Sequence, residues 1–539
     1  MLKNVFRSFF LNPRRVADLF CKCRRSSLAR EWQEKTLSAR LSLLKTSYKE
    51  FEWDLFRVLS ENKDTFVLSK FTYGLNKSGL KANDERLYSV YKKIEELKLK
   101  NKGLREEEIR INFNEMKDFL ADNVFLIRQA FVNNMIVPHF SDFCVRVDDL
   151  YWACRRNLTG KITSHSKVLY GQKLESWAVS LCTIDGQRHS TGDYGTPVVL
   201  HTCCTPVNYA LAINEHGANI VNQYISNEPI PRNKDVLYLS PSNVPQNPID
   251  VAGALLVTSL LNVTQNSQQT FDRIVARYNE MSGRTSKKIT WNRSFYIHEK
   301  GAELGMQAYA HHLKNNLCFP CGTDINETVD LLYKLYSIEM SSESLAILAA
   351  TLANDGVCPI TSERIFTSEA VQSTISIMLS CGISSHFSVK VGIPGVAGIS
   401  GGVMLVCPGL LGAFLWSPPL NDQEVSVRGL QFSERLSEIF DLHYFSFSKP
   451  TAPTTSHQVE GFPGTQKLQN KSSSNVQAIF AASLGDIQAL RSLHMMGHNM
   501  ESPDYDGRTP LHLAASQGRM NVVKFLVEKC NVDISVRDR

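Results

Sequence analysis

Apolar side chains in the first third of the chain recur at intervals of three and four residues, with polar residues between them. This interval places them on one face of a helix, so the pattern predicts a mostly helical domain over residues 35–155. Between its predicted helices, the segment Glu61–Asp64 lacks the alternating Asp and Asn ligands and the central Gly of a calcium loop. We therefore expect a helical domain without bound calcium that serves in docking or oligomerisation. The apolar positions are Phe51, Leu55, Phe56, Leu59, Phe66, Val67, Phe71, Leu75, Leu87, Val90, Tyr91, Ile94 and Leu97.

Residues 165–445 form the largest block, and here the pattern changes to a mixture of strands and helices. A strand is predicted over Trp177–Thr183, followed by a turn at residues 185–186. The glycine-rich segment Gly392–Gly402 leads into the apolar run Val403–Trp416, but it has neither the spacing nor the Lys of a phosphate-binding loop. We predict a multidomain α+β protein. Helices of this block are predicted over Val207–Ala212, Asp250–Leu261 and Ser344–Ala353.

The C-terminal region contains a linker followed by a repeat. Residues 449–475 are rich in Pro, Ser, Thr, Gln, Asn and Gly, a composition typical of flexible linkers. Beyond them, Ala481–Gly485 recurs as Ala514–Gly518, and Asp506–Ala515 carries the T-P-L-H signature of ankyrin repeats. We predict α-helical ankyrin repeats over residues 476–539, two of them, with a third truncated. Because such stacks usually need three units, either the C-terminus is incomplete or the repeats dock on another surface, and they are a candidate site for a protein partner.

Charge separates the first 30 residues from the rest. They hold eight basic residues and one acid, Asp18, and since the whole chain carries +6, residues 31–539 sum to −1. Apolar residues at helical spacing accompany the basic ones. A basic amphipathic leader that is poor in acid is typical of a mitochondrial transit peptide, so we predict a location in the mitochondrial matrix; a disordered basic tail is the alternative. The apolar positions are Leu2, Val5, Phe6, Phe9 and Phe10.

Several classes of protein are disfavoured by composition. A nearly neutral body argues against nucleic-acid binding, which requires clustered Lys and Arg. The sequence has no run of 18 apolar residues, so no transmembrane segment is expected. Among thirteen cysteines, Cys318 and Cys321 form the single C-x-x-C pair, and we expect no metal site and reduced thiols.

Five segments of the central block resemble the animal kidney-type glutaminases, and the similarity covers about residues 45–539. The resemblance implies an EF-hand-like helical domain at residues 35–155 and a glutaminase domain at residues 160–446 with an α/β fold like that of β-lactamases and penicillin-binding proteins. It further implies hydrolysis of L-glutamine to L-glutamate and ammonia, no cofactor, activation by phosphate and a homotetramer. The segments are Cys182–Asp193, Asn247-Pro248 with Ala252–Ala254, Ala349–Asn354, Cys358–Thr361 and Trp416–Leu420.

The resemblance also implies where the catalytic residues lie. In the family a serine nucleophile and a lysine base follow S-x-x-K spacing, so that both share a helix face. Here these positions hold Thr202 and Thr205, and a threonine has no basic state near neutral pH. The positions of two active-site tyrosines fall on His165 and Ser384. All four positions are therefore substituted, and the residue chemistry predicts impaired or absent catalysis.

The substrate pocket is partly retained according to the same resemblance. The glutamine-binding Asn and Glu match Asn247 and Glu299, and Ile399 stands where a valine backbone N–H faces the oxyanion. A second binding Asn is replaced by Met306, and a binding Tyr by Leu332, although Tyr333 is adjacent. The pair that is retained predicts that L-glutamine or L-glutamate could still bind.

Three interpretations of the function remain open. The chain is an active glutaminase with rewired chemistry, a pseudoenzyme that forms hetero-oligomers with an active paralogue, or a module that binds glutamine or glutamate. Rewiring could use a thiol of Cys203 or Cys204 beside His201, or His165 as the base for Thr202. Two other S-x-x-K matches, at residues 164–167 and 446–449, are expected to be chance matches.

Overall fold

A computed structural model describes most of the chain from residue 51 to residue 537. The leader, the linker, His165 and both of the chance S-x-x-K matches lie outside the described residues, so the predictions for them stay predictions. Within the range, the structure leaves out residues 62, 102–103, 122, 133, 164–168, 170, 231–237, 263–265, 285–288, 302–303, 446–477, 496–497 and 504–506.

The N-terminal region is a helical domain with one short pair of strands. Its buried face is formed by the apolar positions that recur at helical spacing, such as Phe51, Leu55 and Ile94. Phe66 and Val67 were expected within a helix, but they form a strand that pairs with Arg110–Ile111. Both lie directly before a helix start, where spacing alone does not separate a short strand from a helical turn. The elements are α1 (Phe51–Ser60), β1 (Phe66–Val67), α2 (Leu68–Lys77), α3 (Tyr88–Lys100), β2 (Arg110–Ile111), α4 (Phe113–Leu120), α5 (Val124–Val132) and α6 (Phe140–Arg155).

An antiparallel sheet lies at the centre of the next domain. In the described part of the chain it has five strands, in the order β4-β3-β10-β9-β8. The apolar run that follows the glycine-rich segment folds into the hairpin of β9 and β10, with Leu411 opposite Cys407. The predicted strand at Trp177–Thr183 is β3. It pairs with the edge of β10 that is opposite β9. The strands of this sheet are β3 (Ala178–Thr183), β4 (Arg188–Gly192), β8 (Gly395–Ala397), β9 (Gly402–Cys407) and β10 (Leu411–Trp416). Among the described residues, a separate three-stranded sheet, in the order β5-β7-β6, consists of β5 (Pro197–Val199), β6 (Thr290–Trp291) and β7 (Ile338–Ser341).

Helices cover both faces of this sheet, and strands β3, β9 and β10 are accordingly buried along their whole length. Val179 and Leu181 face a cluster with α6 and the last helix of the domain, whereas Ala178 and Cys182 face the larger core on the other side. One helix of that core lies so close that a Cβ on Gly412 would come within 2.1 Å of the Ala350 nitrogen. The helices are α7 (Thr205–His216), α8 (Ala218–Tyr224), α9 (Val251–Leu261), α10 (Ser267–Met281), α11 (Arg293–Gly301), α12 (Leu304–Asn315), α13 (Ile325–Tyr336), α14 (Ser342–Ala353), α15 (Ser368–Cys381), α16 (Ser385–Lys390) and α17 (Val427–Phe440).

The turn between β3 and β4 joins the helical domain to the central domain. The Gln187 side chain is 1% exposed; it donates to the carbonyls of Ser78 and Val137 and accepts from the Val137 N–H at 3.0 Å. Nearby, the Arg86 guanidinium donates to the Asp185 carbonyl at 2.9 Å. We call this group of contacts the β3–β4 seam. Each polar side chain in it is paired with backbone of the other domain, so the seam fixes how the two domains meet.

The C-terminal region forms two helix pairs around a small core of its own. Ala481, Leu490, Ala514 and Leu526 are among the buried residues of this core. Pro510 stands at the start of the helix that carries the T-P-L-H signature, where its fixed φ suits the first turn. Among the described residues, no helix combines the length and apolar character needed to cross a membrane. The helices are α18 (residues 478–484), α19 (Ile487–Met495), α20 (Pro510–Ser516) and α21 (Met520–Glu528).

Candidate active site

The Thr202 position lies in a short turn between β5 and α7. The strand ends at Val199, and residues 201–204 form one turn of 3-10 helix that runs directly into α7. His201 has φ +46°, a left-handed conformation that is uncommon for a residue with a side chain. Pro206 follows at the helix start and favours the helical φ there. The turn therefore fixes Thr202 before the helix and Thr205 as the first helical residue.

Both threonine hydroxyls of this turn are bonded to backbone carbonyls. The Thr202 Oγ1 donates to the Ala397 carbonyl at 2.8 Å, and the Thr205 Oγ1 donates to the Thr202 carbonyl at 2.9 Å. The second bond is the i to i−3 contact that a short hydroxyl makes within its own helix turn. Neither hydroxyl donates its proton to a basic side chain. The Thr202 oxygen thus faces β8, and the side chain three residues later is a hydroxyl and not a base.

The thiols beside Thr202 are poor candidates for a replacement nucleophile. Cys203 and Cys204 are both 0% exposed. Burial raises the pKa of Cys203 to about 12 and raises that of Cys204 still further. Only a thiolate is a good nucleophile, and at neutral pH both groups remain thiols. The interpretation that uses these thiols with His201 is therefore disfavoured.

An aromatic pair connects the Thr202 turn to α13. The His201 ring lies 4.6 Å from the Tyr336 ring and 6.0 Å from that of Phe295. Burial raises the pKa of Tyr336 well above its usual value, with smaller contributions from the nearby charges of Asp250 and Glu299. The Tyr336 hydroxyl has no hydrogen-bond partner among the residues that the structure describes. Tyr336 is thus a buried, protonated hydroxyl beside the Thr202 turn, within electrostatic reach of two acidic side chains.

Asn247 lies just before α9, and most of the hydrogen-bonding capacity of its side-chain amide is taken by backbone groups. It is 3% exposed, and its Oδ1 accepts from the N–H groups of Ile249 and Asp250 at 3.0 and 3.1 Å. Its Nδ2 donates one proton to the Glu228 carbonyl at 3.2 Å. An amide nitrogen carries a second proton. Asn247 is therefore held rigidly by backbone, and that second N–H is what it can offer a ligand.

The other proposed binding positions lie on neighbouring helices and on the turn after β8. Glu299 on α11 is 8% exposed, and its carboxylate lies 3.6 Å from the His298 Nδ1. Leu332 and Tyr333 on α13 are buried, and Leu332 is one turn before Tyr336. Met306 on α12 and Ile399 after β8 are half-buried and pack against the same core.

Ser384, which matches the second active-site tyrosine, has a structural role in the described fold. It precedes α16, and its hydroxyl accepts the Phe387 N–H at 3.1 Å. A serine in this place satisfies one of the N–H groups that a helix start leaves unpaired. The position therefore caps a helix where the family resemblance places a phenol.

Asp250 is a titratable residue of this region that the sequence analysis did not single out. Its Oδ1 accepts the Gly253 N–H at 2.7 Å and so caps α9. Burial raises the pKa of Asp250 to about 6, although its backbone hydrogen bonds act in the opposite direction. Its charge also contributes to the raised pKa values of Tyr309, Tyr336 and Cys381. An Asp directly before an apolar helix is a capping signal, but nothing in the sequence indicates that this cap faces three other titratable groups.

The structure thus brings the Thr202 turn, Tyr336, Glu299 and Asp250 into one neighbourhood, with Asn247 attached to the Asp250 segment. The arrangement combines buried acceptors for an ammonium group with a hydroxyl donor, which suits a small zwitterion better than an apolar ligand. Among the described residues, no group of three His, Cys, Asp or Glu side chains is placed to hold a metal ion.

Comparison with known families assigns each region a relative. A family profile described as "Glutaminase" matches residues 160–445. A profile for the "EF-hand domain" matches residues 49–138, and one for "Ankyrin repeats (many copies)" matches residues 478–527. The predicted fold class, a multidomain α+β protein with helical N-terminal, β-lactamase-like central and ankyrin parts, is confirmed.

Individual relatives cover most of the chain. The mouse protein "Glutaminase liver isoform, mitochondrial" is 34% identical over 492 residues, which is 90% of this chain and 79% of the relative. "Putative glutaminase 2" of Caenorhabditis elegans is 30% identical over 496 residues, 90% of this chain and 80% of its own. Among solved structures, a crystal structure of Mglu in its native form has a TM-score of 0.54 at 25% identity and covers 57% of this chain and 74% of its own. A crystal structure of Mglu in its glutamate form has a TM-score of 0.53 at 26% identity, with coverage of 56% and 69%.

Proposed function

Because the chain belongs to the glutaminase family, we propose that it recognises L-glutamine or L-glutamate at the site beside Thr202 but does not hydrolyse glutamine efficiently. In this proposal Asn247 and Glu299 bind the charged ends of the amino acid, and the Ile399 N–H faces its carbonyl oxygen. The substituted positions Met306 and Leu332 make fewer polar contacts than the family pocket, so binding is weaker than in an active relative.

The main support for this proposal is that both threonine hydroxyls donate their hydrogen bonds to backbone carbonyls. The Thr205 hydroxyl donates to the Thr202 carbonyl, and the Thr202 hydroxyl donates to the Ala397 carbonyl. A serine-type nucleophile needs a base that accepts its proton as it attacks, and a carbonyl oxygen does not keep a proton at neutral pH. Loss of both members of such a pair usually removes most of the rate enhancement.

Ammonia release from L-glutamine by the purified full chain, with and without added phosphate, tests the proposal. We expect no release above a heat-treated control. The double substitution Thr202→Ser with Thr205→Lys is expected to produce measurable release, since it supplies a nucleophile and a base at the family spacing. Efficient release by the unsubstituted chain would contradict the proposal, and an inactive double variant that still folds would show that loss of the dyad is not the sole cause.

Ligand recognition is tested separately by the thermal stability of the chain in L-glutamate. A ligand that binds the folded state raises the melting temperature, and the stabilisation grows with the logarithm of the ligand concentration once this exceeds Kd. We expect a rise that Glu299→Gln and Asn247→Ala each abolish. Glu438→Gln, on an exposed part of α17 in the same domain, is the matched control and should keep the rise. An equal rise in all variants would place the ligand elsewhere.

We further propose a mitochondrial location and assembly with an active paralogue. The mouse and rat relatives are named as mitochondrial, which together with the basic leader supports a location in the mitochondrial matrix. A pseudoenzyme in the same compartment as an active paralogue could form mixed oligomers with it. Co-purification of this chain with a differently tagged active relative, followed by measurement of that relative's response to phosphate, tests this role.

A further inference from the structure

The second helix of the ankyrin region, α19, begins at a carboxylate that bonds to backbone of two domains. Asp486 precedes α19 and is 1% exposed. One of its oxygens, Oδ1, accepts the Ala489 N–H at 2.9 Å, which is the usual bond of an N-cap residue. The other oxygen, Oδ2, accepts the Phe125 N–H at 3.2 Å. Since Phe125 is in the first turn of α5, Asp486 caps one helix of the repeats and one helix of the N-terminal domain at the same time.

An apolar contact accompanies this double cap. Leu484, in the last turn of α18, packs against the core of the N-terminal helical domain. It lies two residues before Asp486, so the polar and the apolar contact are made by the same corner of the repeat. Phe125 is itself 7% exposed. The corner thus combines a buried charge-assisted hydrogen bond with an apolar anchor, a pattern that stabilises interfaces.

The repeats have a physical reason to use such a contact. An ankyrin stack gains its stability from the surfaces between neighbouring units, and its end units leave one face uncovered. The described residues contain two helix pairs, α18 with α19 and α20 with α21. The side of the first pair that carries Leu484 lies against the helical domain and not against another repeat.

We propose that the ankyrin pair is a built-in ligand of the N-terminal helical domain of the same chain, which takes the place of a neighbouring repeat and is held in register by Asp486. Docking therefore couples the two regions, so that opening this corner loosens the starts of α5 and α19 together. The proposal rests on the contacts of Asp486 and Leu484 alone and does not depend on whether the site beside Thr202 binds or turns over glutamine.

The substitution Asp486→Asn separates the two caps. An aspartate accepts with two oxygens, whereas an asparagine accepts with one. We expect the amide of the variant to keep the cap of α19, because Ala489 is nearest in sequence, and to lose the bond to Phe125. Hydrogen exchange of the full-length chain should then show the Phe125 amide exchanging about fivefold faster, as for loss of one cap, while exchange of the Ala489 amide, which keeps its cap, increases less. Asp533→Asn, an exposed acid of the same repeats, is the control.

A second variant tests the apolar anchor without altering a charge. Leu484→Ser should increase exchange in both α5 and α19, whereas Ile534→Ser, at a side chain that is 74% exposed, should not. Unchanged exchange in α5 for both Asp486→Asn and Leu484→Ser would overturn the proposal. Protection of α5 that decreases on hundredfold dilution would also overturn it, because the docked repeats would then belong to a second copy.

Discussion

The β3–β4 seam and the Thr202 turn are both polar regions near the central sheet, but their side chains are used differently. In the seam, Gln187 bonds to backbone of the helical domain in three places, and Arg86 reaches the Asp185 carbonyl from the other side. In the turn, Thr202 and Thr205 bond to carbonyls of their immediate surroundings. The seam holds two domains together, whereas the two hydroxyls of the turn donate to backbone carbonyls and not to a basic side chain.

This difference indicates that the fold does not depend on the hydroxyls of Thr202 and Thr205. The Thr202 carbonyl also accepts the Thr205 backbone N–H, so the turn is closed without either hydroxyl. The backbone groups at the seam are satisfied by side chains, and removing one side chain leaves them without partners. We therefore expect substitutions at the seam to cost stability and substitutions at the turn to be tolerated.

The largest expected effect is that of Gln187→Ala. This change removes three hydrogen bonds and leaves the Val137 N–H and two carbonyls in a buried place, so the free energy of unfolding should fall by about 4 kcal/mol. Urea unfolding followed by tryptophan fluorescence measures the loss, and the helical domain should unfold in a separate, earlier transition.

Gln423→Ala is the matched control for this prediction. Gln423 is exposed in the loop before α17, and such surface substitutions usually change stability by less than about 0.5 kcal/mol. A loss for Gln187→Ala no larger than that of the control would show that the seam does not hold the domains together.

Asp250→Asn is expected to have the next largest effect, and its sign depends on pH. Burial raises the pKa of Asp250 to about 6, so between about pH 4 and pH 6 the folded chain holds a proton that the unfolded chain has released. Stability from this group is therefore present at low pH and is lost as pH rises through that window. Because Asn also caps helices well, the variant should be more stable than the original by about 1–3 kcal/mol at pH 7.5 and little different at pH 4.

The control for Asp250→Asn is Asp324→Asn. Asp324 also caps a helix, α13, through the N–H groups of Asn326 and Glu327, but it is exposed. It should show no gain in stability that grows between pH 4 and pH 6. An Asp250→Asn variant with the same pH profile as the original chain would contradict the raised pKa.

Sequence patterns predicted the elements whose side chains follow one clear period. Helices α7, α9 and α14 and strand β3 lie where apolar spacing places them, and so do the helices of the N-terminal domain from Phe51 onward. The pattern did not distinguish the strand Phe66–Val67 from a helical turn, since two residues are too few to show a period.

The site was predictable only as separate positions. The family resemblance pointed to Thr202 and Thr205, and these two residues lie where the 3-10 turn runs into α7. The sequence gives no indication that Asp250 and Glu299 lie near Tyr336, because these residues are brought together by three different helices. Nor does it indicate that Ser384 caps α16, which depends on where that helix starts. Contacts between distant segments are set by packing, and packing is not encoded in local periodicity.

The smallest expected effect is that of Thr205→Val, which tests whether the Thr202 turn tolerates substitution. The change removes the hydroxyl that bonds to the Thr202 carbonyl at 2.9 Å and keeps the branched shape of the side chain. Because that carbonyl still accepts the backbone N–H of residue 205, no buried group loses its last partner, and the free energy of unfolding should fall by about 0.5–1 kcal/mol. Thr205→Ser, which keeps the hydroxyl, is the control in the same urea titration. A loss for Thr205→Val as large as that for Gln187→Ala would mean that the turn, like the seam, is held by its side chains, and the proposed contrast between the two regions would be wrong.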